Sequence, residues 1–88
     1  MKININNYVG NNQHNAMCIE INDLTIYLSY QTVIAFSDSG KLTIIKNYWS
    51  TTTGKHLNAI NRDKSIRLDN DQFEKELQKL LKYHKLTF

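Results

Sequence analysis

The chain of 88 residues carries a formal net charge of +3 and a single cysteine, Cys18. This length suffices for one hydrophobic core, so we expect residues 1–88 to form a single domain, and one cysteine excludes an internal disulfide. No apolar run is long enough for a membrane span or a signal peptide, which favours a cytosolic protein without a membrane partner.

The first residues carry a strand pattern followed by a loop pattern. Residues 2–6 alternate between polar side chains and isoleucine, as an exposed β-strand does. Residues 10–15 are glycine, asparagine, glutamine and histidine throughout, a composition typical of an exposed loop.

The clearest β-hairpin pattern lies at residues 16–21 and 24–29. These two β-rich runs are separated only by Asn22-Asp23, two residues that tolerate the positive φ angles of a tight turn. We therefore predict a hairpin in which Ile19 lies opposite Ile26. A slip of one residue would scatter the apolar side chains over both faces, so the register should be well specified.

The sheet pattern continues through residues 32–36 and 41–46, after turns at 30–31 and 37–40. The alternation predicts that the apolar residues of these two runs share the face of Ile26. They are Val33, Ala35, Leu42 and Ile44. We therefore predict an antiparallel meander of four to five strands with one continuous apolar face.

The last part of the chain predicts an amphipathic helix at residues 70–84. Asp69 is suited to the N-cap, and Gln72 stands three residues later, as in a capping box. The apolar helix face consists of Phe73, Leu77, Leu80, Leu81 and His84. The predicted fold class is thus α+β, with one C-terminal helix packed on one face of the sheet.

The second face of the predicted sheet is less polar than a solvated face should be. It carries Tyr27, Ile34 and Phe36. Left exposed, these side chains would form an apolar patch that invites aggregation. We expect either that residues 48–60 cover this face or that it forms the interface of a homodimer.

Residues 47–58 form the most unusual stretch, with tyrosine, tryptophan and three threonines before a Gly-Lys-His run. Ser50 or one of the threonines could cap a short helix. Leu57 and Ile60 would then face inward.

No cofactor site and no catalytic site emerges from the sequence. Thr53-Gly54-Lys55 is not a phosphate-binding loop of the Walker type, because Trp49 replaces its first glycine and His56 its final hydroxyl residue. The histidines at 14, 56 and 84 lack metal-ligand spacing, and no third group would orient a Cys18–His56 pair. We therefore expect a non-enzymatic protein without a metal or nucleotide cofactor.

Positive charge is concentrated in residues 41–67, which hold six basic residues against Asp63 alone, a net charge of +5. Basic residues interleaved with aromatic ones are suited to phosphate contact and base stacking. We expect residues 46–67 to carry the binding surface, and the basic segment 41–67 to carry the contacts of a nucleic acid, should one be the partner. The residues that we expect in contact are Trp49, Lys55, His56, Arg62 and Arg67, and we expect Lys55 and His56 to be exposed. Trp49 would either stack on the partner or anchor the loop.

The motif from Trp49 to Leu57, Trp-Ser-x-Thr-Thr-Gly-Lys-His-Leu, resembles small proteins of phages and mobile elements of low-GC Gram-positive bacteria. The resemblance implies a protein of the bacterial host cytosol but no particular activity. In that setting we expect a stoichiometric binder of a host protein or nucleoprotein, such as a counter-defence inhibitor of the anti-CRISPR kind. The alternative is a nucleic-acid-binding accessory or regulator of the mobile element.

Overall fold

The computed structural model describes residues 2–10 and 15–86. Five antiparallel strands form one open sheet in the order β1-β2-β3-β4-β5. The strands are β1 Ile3–Asn7, β2 Met17–Ile21, β3 Leu24–Ser29, β4 Thr32–Asp38 and β5 Lys41–Ile44. The predicted antiparallel meander is confirmed. Most of the predicted loop at residues 10–15 lies outside the described residues.

Three two-residue turns join the last four strands, and each turn begins with a residue at positive φ. Asn22, Tyr30 and Ser39 have φ angles of 53°, 58° and 52°. Gly40 follows Ser39 and is itself at 85°, a conformation that glycine adopts without a side-chain penalty. The predicted hairpin register is confirmed, because Ile19 lies opposite Ile26. Such turns match the twist of the flanking strands.

A β-bulge interrupts the pairing between β3 and β4. Tyr27 lies opposite Ala35, whereas the next residue, Leu28, lies opposite Val33. Ile34 is therefore an extra residue on β4. A bulge of this kind changes which side chains of the strand share a face with the neighbouring strand.

The bulge overturns part of the predicted sheet face. Phe36, not Ala35, lies opposite Ile26. Ala35 in turn lies opposite Ile44, so these two residues and Leu42 lie on the other face from Ile26. The prediction that all four apolar residues of β4 and β5 share the face of Ile26 is wrong for these three. Apolar side chains consequently occupy both faces of the sheet.

Two α-helices follow the sheet, where we predicted one C-terminal helix as part of the fold class. Helix α1 spans Thr51–Ile60 and helix α2 spans Asn70–His84. The side chains of Ser50 and Asp69 cap them, as the sequence predicted, accepting hydrogen bonds from the amides of Thr53 and Gln72. A short 3₁₀ turn, Lys64–Ile66, lies between the helices.

The helices contact the sheet at different strands and from opposite sides. The ring of Phe73 in α2 lies 5.7 Å from that of Phe36, which shares the face of Ile26. Side chains of α1 contact Ser29, which alternates onto the opposite face with Tyr27. The buried apolar side chains of both helices join those of the sheet in one core cluster. A sheet that is apolar on both sides needs cover on both sides, which one helix would not supply.

The predicted second sheet face is only partly as expected. Ile34 and Phe36 are buried and Tyr27 is half-buried within the chain itself. Phe36 belongs to the first face, and the ring of Tyr27 packs edge-on against Tyr8 at 5.2 Å. Helix α1, within the predicted cover of residues 48–60, reaches this side of the sheet through Ser29. The homodimer stays a prediction.

Replacing Leu77 by Ala should lower the free energy of unfolding by about 2–5 kcal/mol, because the side chain is buried in the core and leaves a cavity. Urea unfolding followed by circular dichroism measures this loss. The neighbouring exposed residue provides the control, since Gln78→Ala should change stability by less than about 0.5 kcal/mol. Equal effects of the two substitutions would contradict the packing of α2.

Candidate functional site

A basic cleft of about 360 Å³ opens between the end of β5, helix α1 and the 3₁₀ turn. Three of its residues are cationic, and none is acidic. The lining consists of Lys46, Asn47, Gly54, Asn58, Lys64 and Arg67. We call these six residues the basic cleft.

Residues distant in sequence meet here because the segment after the 3₁₀ turn pairs with the end of β5. Ile45 and Leu68 form a parallel bridge. The amide of Leu68 donates to the carbonyl of Ile44, and the amide of Lys46 donates to the carbonyl of Leu68, each at 2.8 Å. The bridge holds Arg67 beside Lys46.

Arg67 is the most unusual residue of the cleft, because a permanently charged side chain is only 8% exposed. Its Nη2 donates to the Asn58 side-chain oxygen at 3.0 Å and to the Asn61 carbonyl at 3.2 Å. Its Nε is buried without a hydrogen-bond partner, and no carboxylate of the described residues forms an ion pair with it. A buried charge without a counter-charge is costly, and an anion bound in the cleft would offset that cost.

Asp63 is the only acidic residue in the basic segment, residues 41–67, and its carboxylate is hydrogen-bonded to Ser65. Asp63 accepts hydrogen bonds from the Ser65 hydroxyl at 2.6 Å and the Ser65 amide at 3.0 Å. These bonds lower the pKa of the Asp63 carboxyl and make it the N-cap of the 3₁₀ turn. Asp63 does not line the cleft, so the three cations there retain an unneutralised positive potential.

The five residues predicted to make contacts do not form one surface. Arg67 lines the basic cleft, whereas Lys55, Arg62 and Trp49 are exposed outside its lining. Trp49 is 46% exposed, so it is not buried as a core anchor. His56 is buried, with 2% of its surface exposed, and the expectation that it is an exposed contact is wrong.

His56 is buried because it belongs to a polar cluster that joins α1 to the sheet. Its Nδ1 lies 2.7 Å from the Ser29 hydroxyl, which also shares a hydrogen bond of 3.1 Å with Thr53. The rings of Tyr8 and Tyr30 flank the imidazole at 6.2 Å and 6.1 Å. Burial lowers the pKa of His56, because the charged imidazolium is poorly solvated there. The Ser29–His56 pair is buried, and neither side chain is bonded to a carboxylate in the described part of the chain. The hydrogen bond between them connects β3 to α1.

Core and cap requirements explain most of the Trp49–Leu57 motif. Ser50 caps α1, and Thr53, His56 and Leu57 form its buried face at i, i+3 and i+4. Gly54 lies where a Cβ atom would come within 3.1 Å of the Asn47 side-chain nitrogen. The motif therefore specifies the docking of α1, and only Gly54 within it reaches the cleft.

Sequence reasoning missed most of the cleft. Lys46 and Lys64 belong to the basic segment that was recognised, but periodicity alone does not show which lysines converge. Asn47 and Asn58 gave no signal, because asparagine is common in this chain. The bridge at Leu68, which brings these residues together, has no local sequence signature.

The residues that the structure describes contain no cluster of three potential metal ligands. No helix among them is long and apolar enough to cross a lipid bilayer.

The fold and the cleft define a small α+β protein with a basic cleft beside helix α1. The sequence matches the model of a family of unknown function (DUF8033) over residues 3–75, and the protein belongs to this family. The matched region includes all six cleft residues. No curated protein and no solved structure matches the sequence.

Replacing Arg67 by Met should leave the free energy of unfolding unchanged or raise it by up to about 2 kcal/mol, because a buried unpaired charge is removed. Urea unfolding of the two proteins measures the difference. Arg62→Met is the matched control at an exposed site, where we expect a change below about 0.5 kcal/mol. A loss above about 1 kcal/mol for Arg67→Met would show that its hydrogen bonds stabilise the fold by more than the buried charge costs.

Acidification should destabilise the protein through His56. Its pKa is lowered in the folded state, so the unfolded chain binds more protons. Stability is therefore fully retained above the unfolded pKa near 6.5 and falls as the pH drops below it, by at most about 1.4 kcal/mol per pH unit. Urea midpoints measured between about pH 8 and about pH 5 should fall more steeply for the native chain than for His56→Gln. Parallel pH profiles would contradict this role.

Proposed function

We propose that the protein is a non-enzymatic binding protein that holds phosphate groups of a nucleic acid in the basic cleft. The observation that carries the proposal is the convergence of Lys46, Lys64 and the buried, unpaired Arg67 on one concave surface. Guanidinium and ammonium groups are the principal phosphate ligands in proteins.

Charge around the cleft favours a polyanion over a small anion. Lys55 and Arg62 belong to the same stretch of sequence and are exposed outside the cleft lining, so exposed positive charge in residues 41–67 is not confined to the cleft. A nucleic acid places a phosphate at every nucleotide and can neutralise several of these cations at once. A single small anion would occupy the cleft and leave the outer cations unused.

The motif resemblance to phage and mobile-element proteins supports a bacterial host cytosol as the setting of this binding. There the protein would act as an accessory or regulator of the mobile element.

The second candidate function is stoichiometric binding of a host protein or nucleoprotein, as in counter-defence inhibition. It is favoured by edge strand β1, where Ile3 and Ile5 are each more than half exposed. A nucleoprotein target would engage both surfaces.

Fluorescence anisotropy with labelled DNA and RNA over a salt series tests the proposal. The logarithm of the affinity should fall linearly with the logarithm of the salt concentration, by roughly 0.7 for each phosphate contact on a single strand. Replacing Lys46 and Lys64 together by Gln should weaken binding and reduce that slope by roughly 1–1.5.

The matched control is Lys75→Gln with Lys82→Gln, two exposed lysines of α2 that change the net charge equally. This variant should retain most of the affinity. Equal losses in the two variants would show that binding depends on net charge alone. A native chain that binds neither DNA nor RNA at low salt would refute the proposal.

A further inference from the structure

We infer that the nucleic acid is single-stranded and that its bases stack on an aromatic pair, Tyr48 and Trp49, which follows the cleft residues Lys46 and Asn47 in the chain. This inference rests on the proposed function and specifies its ligand. Base stacking on exposed aromatic rings next to a cationic groove is how proteins hold single strands without reading their sequence.

The two rings are exposed although large aromatic side chains usually contribute to a core. Tyr48 is 54% exposed and Trp49 is 46% exposed. Their ring centroids lie 6.1 Å apart with the planes nearly perpendicular. The pair is therefore available to a ligand, and the edge-to-face contact holds the rings in a defined arrangement.

Hydrogen bonds hold this aromatic pair in place before any ligand binds. The Tyr48 hydroxyl accepts from the amide of Asn70 at 3.1 Å, at the start of α2. The amide of Trp49 donates to the side-chain oxygen of Asn47 at 2.9 Å. The first bond restrains the Tyr48 ring and the second restrains the backbone of Trp49, which reduces the conformational entropy lost on binding.

Asn47 connects the aromatic pair to the cleft. Its side chain lines the cleft, and the same amide group donates to the carbonyl of Ser50 at 3.1 Å while accepting from Trp49. Lys46, the preceding residue, is one of the three cleft cations. The two aromatic residues therefore follow directly on two cleft residues, and a strand with a phosphate in the cleft could extend its bases toward the rings.

This arrangement discriminates between single strands and duplexes. In a duplex the bases are already stacked and paired, so they are not available to an exposed ring. A single strand can place phosphates in the cleft and splay bases onto the rings at the same time. Trp49 is the only tryptophan of the chain, so its fluorescence reports stacking directly.

The experiment titrates the native chain with three probes of equal length: oligothymidylate, the same backbone without bases, and a mixed-sequence duplex. We expect oligothymidylate to quench Trp49 and to bind at least about 10-fold more tightly than the other two probes. Trp49→Leu should weaken oligothymidylate binding about 5- to 100-fold while leaving the salt slope and the abasic affinity unchanged.

A melting curve checks that Trp49→Leu is folded, and the probe comparison on the native chain needs no variant. Equal affinity for all three probes, without quenching, would overturn the stacking inference and leave phosphate binding in place. The absence of binding to every probe would overturn the proposed function itself. Tight binding of the duplex with unchanged Trp49 fluorescence would overturn the inference of a single-stranded ligand.

Discussion

Two backbone hydrogen bonds at Leu68 fix the arrangement on which the rest of the structure depends. They attach the connection between α1 and α2 to the end of β5. The connection must leave α1 at Ile60 and enter α2 at Asn70, so fixing it at Leu68 restricts where both helices lie. The same attachment places Arg67 at the cleft. The geometry of the cleft is therefore a consequence of how the two helices are joined to the sheet.

Local signals predicted most of the fold, and the errors in the sheet faces trace to one non-local feature. The turn at Asn22-Asp23 and the helix cap at Asp69 are determined by residues close in sequence. The hairpin and α2 could therefore be predicted from local patterns. The bulge at Ile34 has no such signature, because its extra residue is specified by packing on both sides of the sheet. Strict alternation therefore assigned Ile44 to the wrong face. The second helix has a local signature of its own, since a cap at Ser50 was one of the possibilities that the sequence offered, but it was not counted in the predicted fold class.

The candidate site was predicted at the level of the segment and less well at the level of the residue. Summed charge identified residues 41–67, because electrostatic potential depends on position only coarsely. Burial of a helical residue depends on its position around the helix axis, which summed charge does not give. His56 was therefore expected to be exposed, although it shares the buried face of α1 with Leu57. Arg67 was predicted as a contact without any expectation about its burial, and its side chain is almost fully buried without a carboxylate partner among the described residues. A buried charge without a counter-charge is costly, and this separates Arg67 from the apolar side chains of the core.

Gly54 is unusual because it is a glycine in the interior of helix α1. Glycine in a helix interior costs about 1 kcal/mol relative to alanine, and Gly54 lies within α1 at an ordinary helical position. Its missing side chain leaves room for the Asn47 amide, which a Cβ atom would approach to 3.1 Å. That amide lines the cleft and bonds to both Trp49 and Ser50. The cost in helix stability is thus linked to the Asn47 side chain, which lies against Gly54 and accepts a hydrogen bond from the amide of Trp49. An alanine at position 54 would require the exposed Asn47 side chain to shift by a few tenths of an ångström, so the glycine favours the observed position of Asn47.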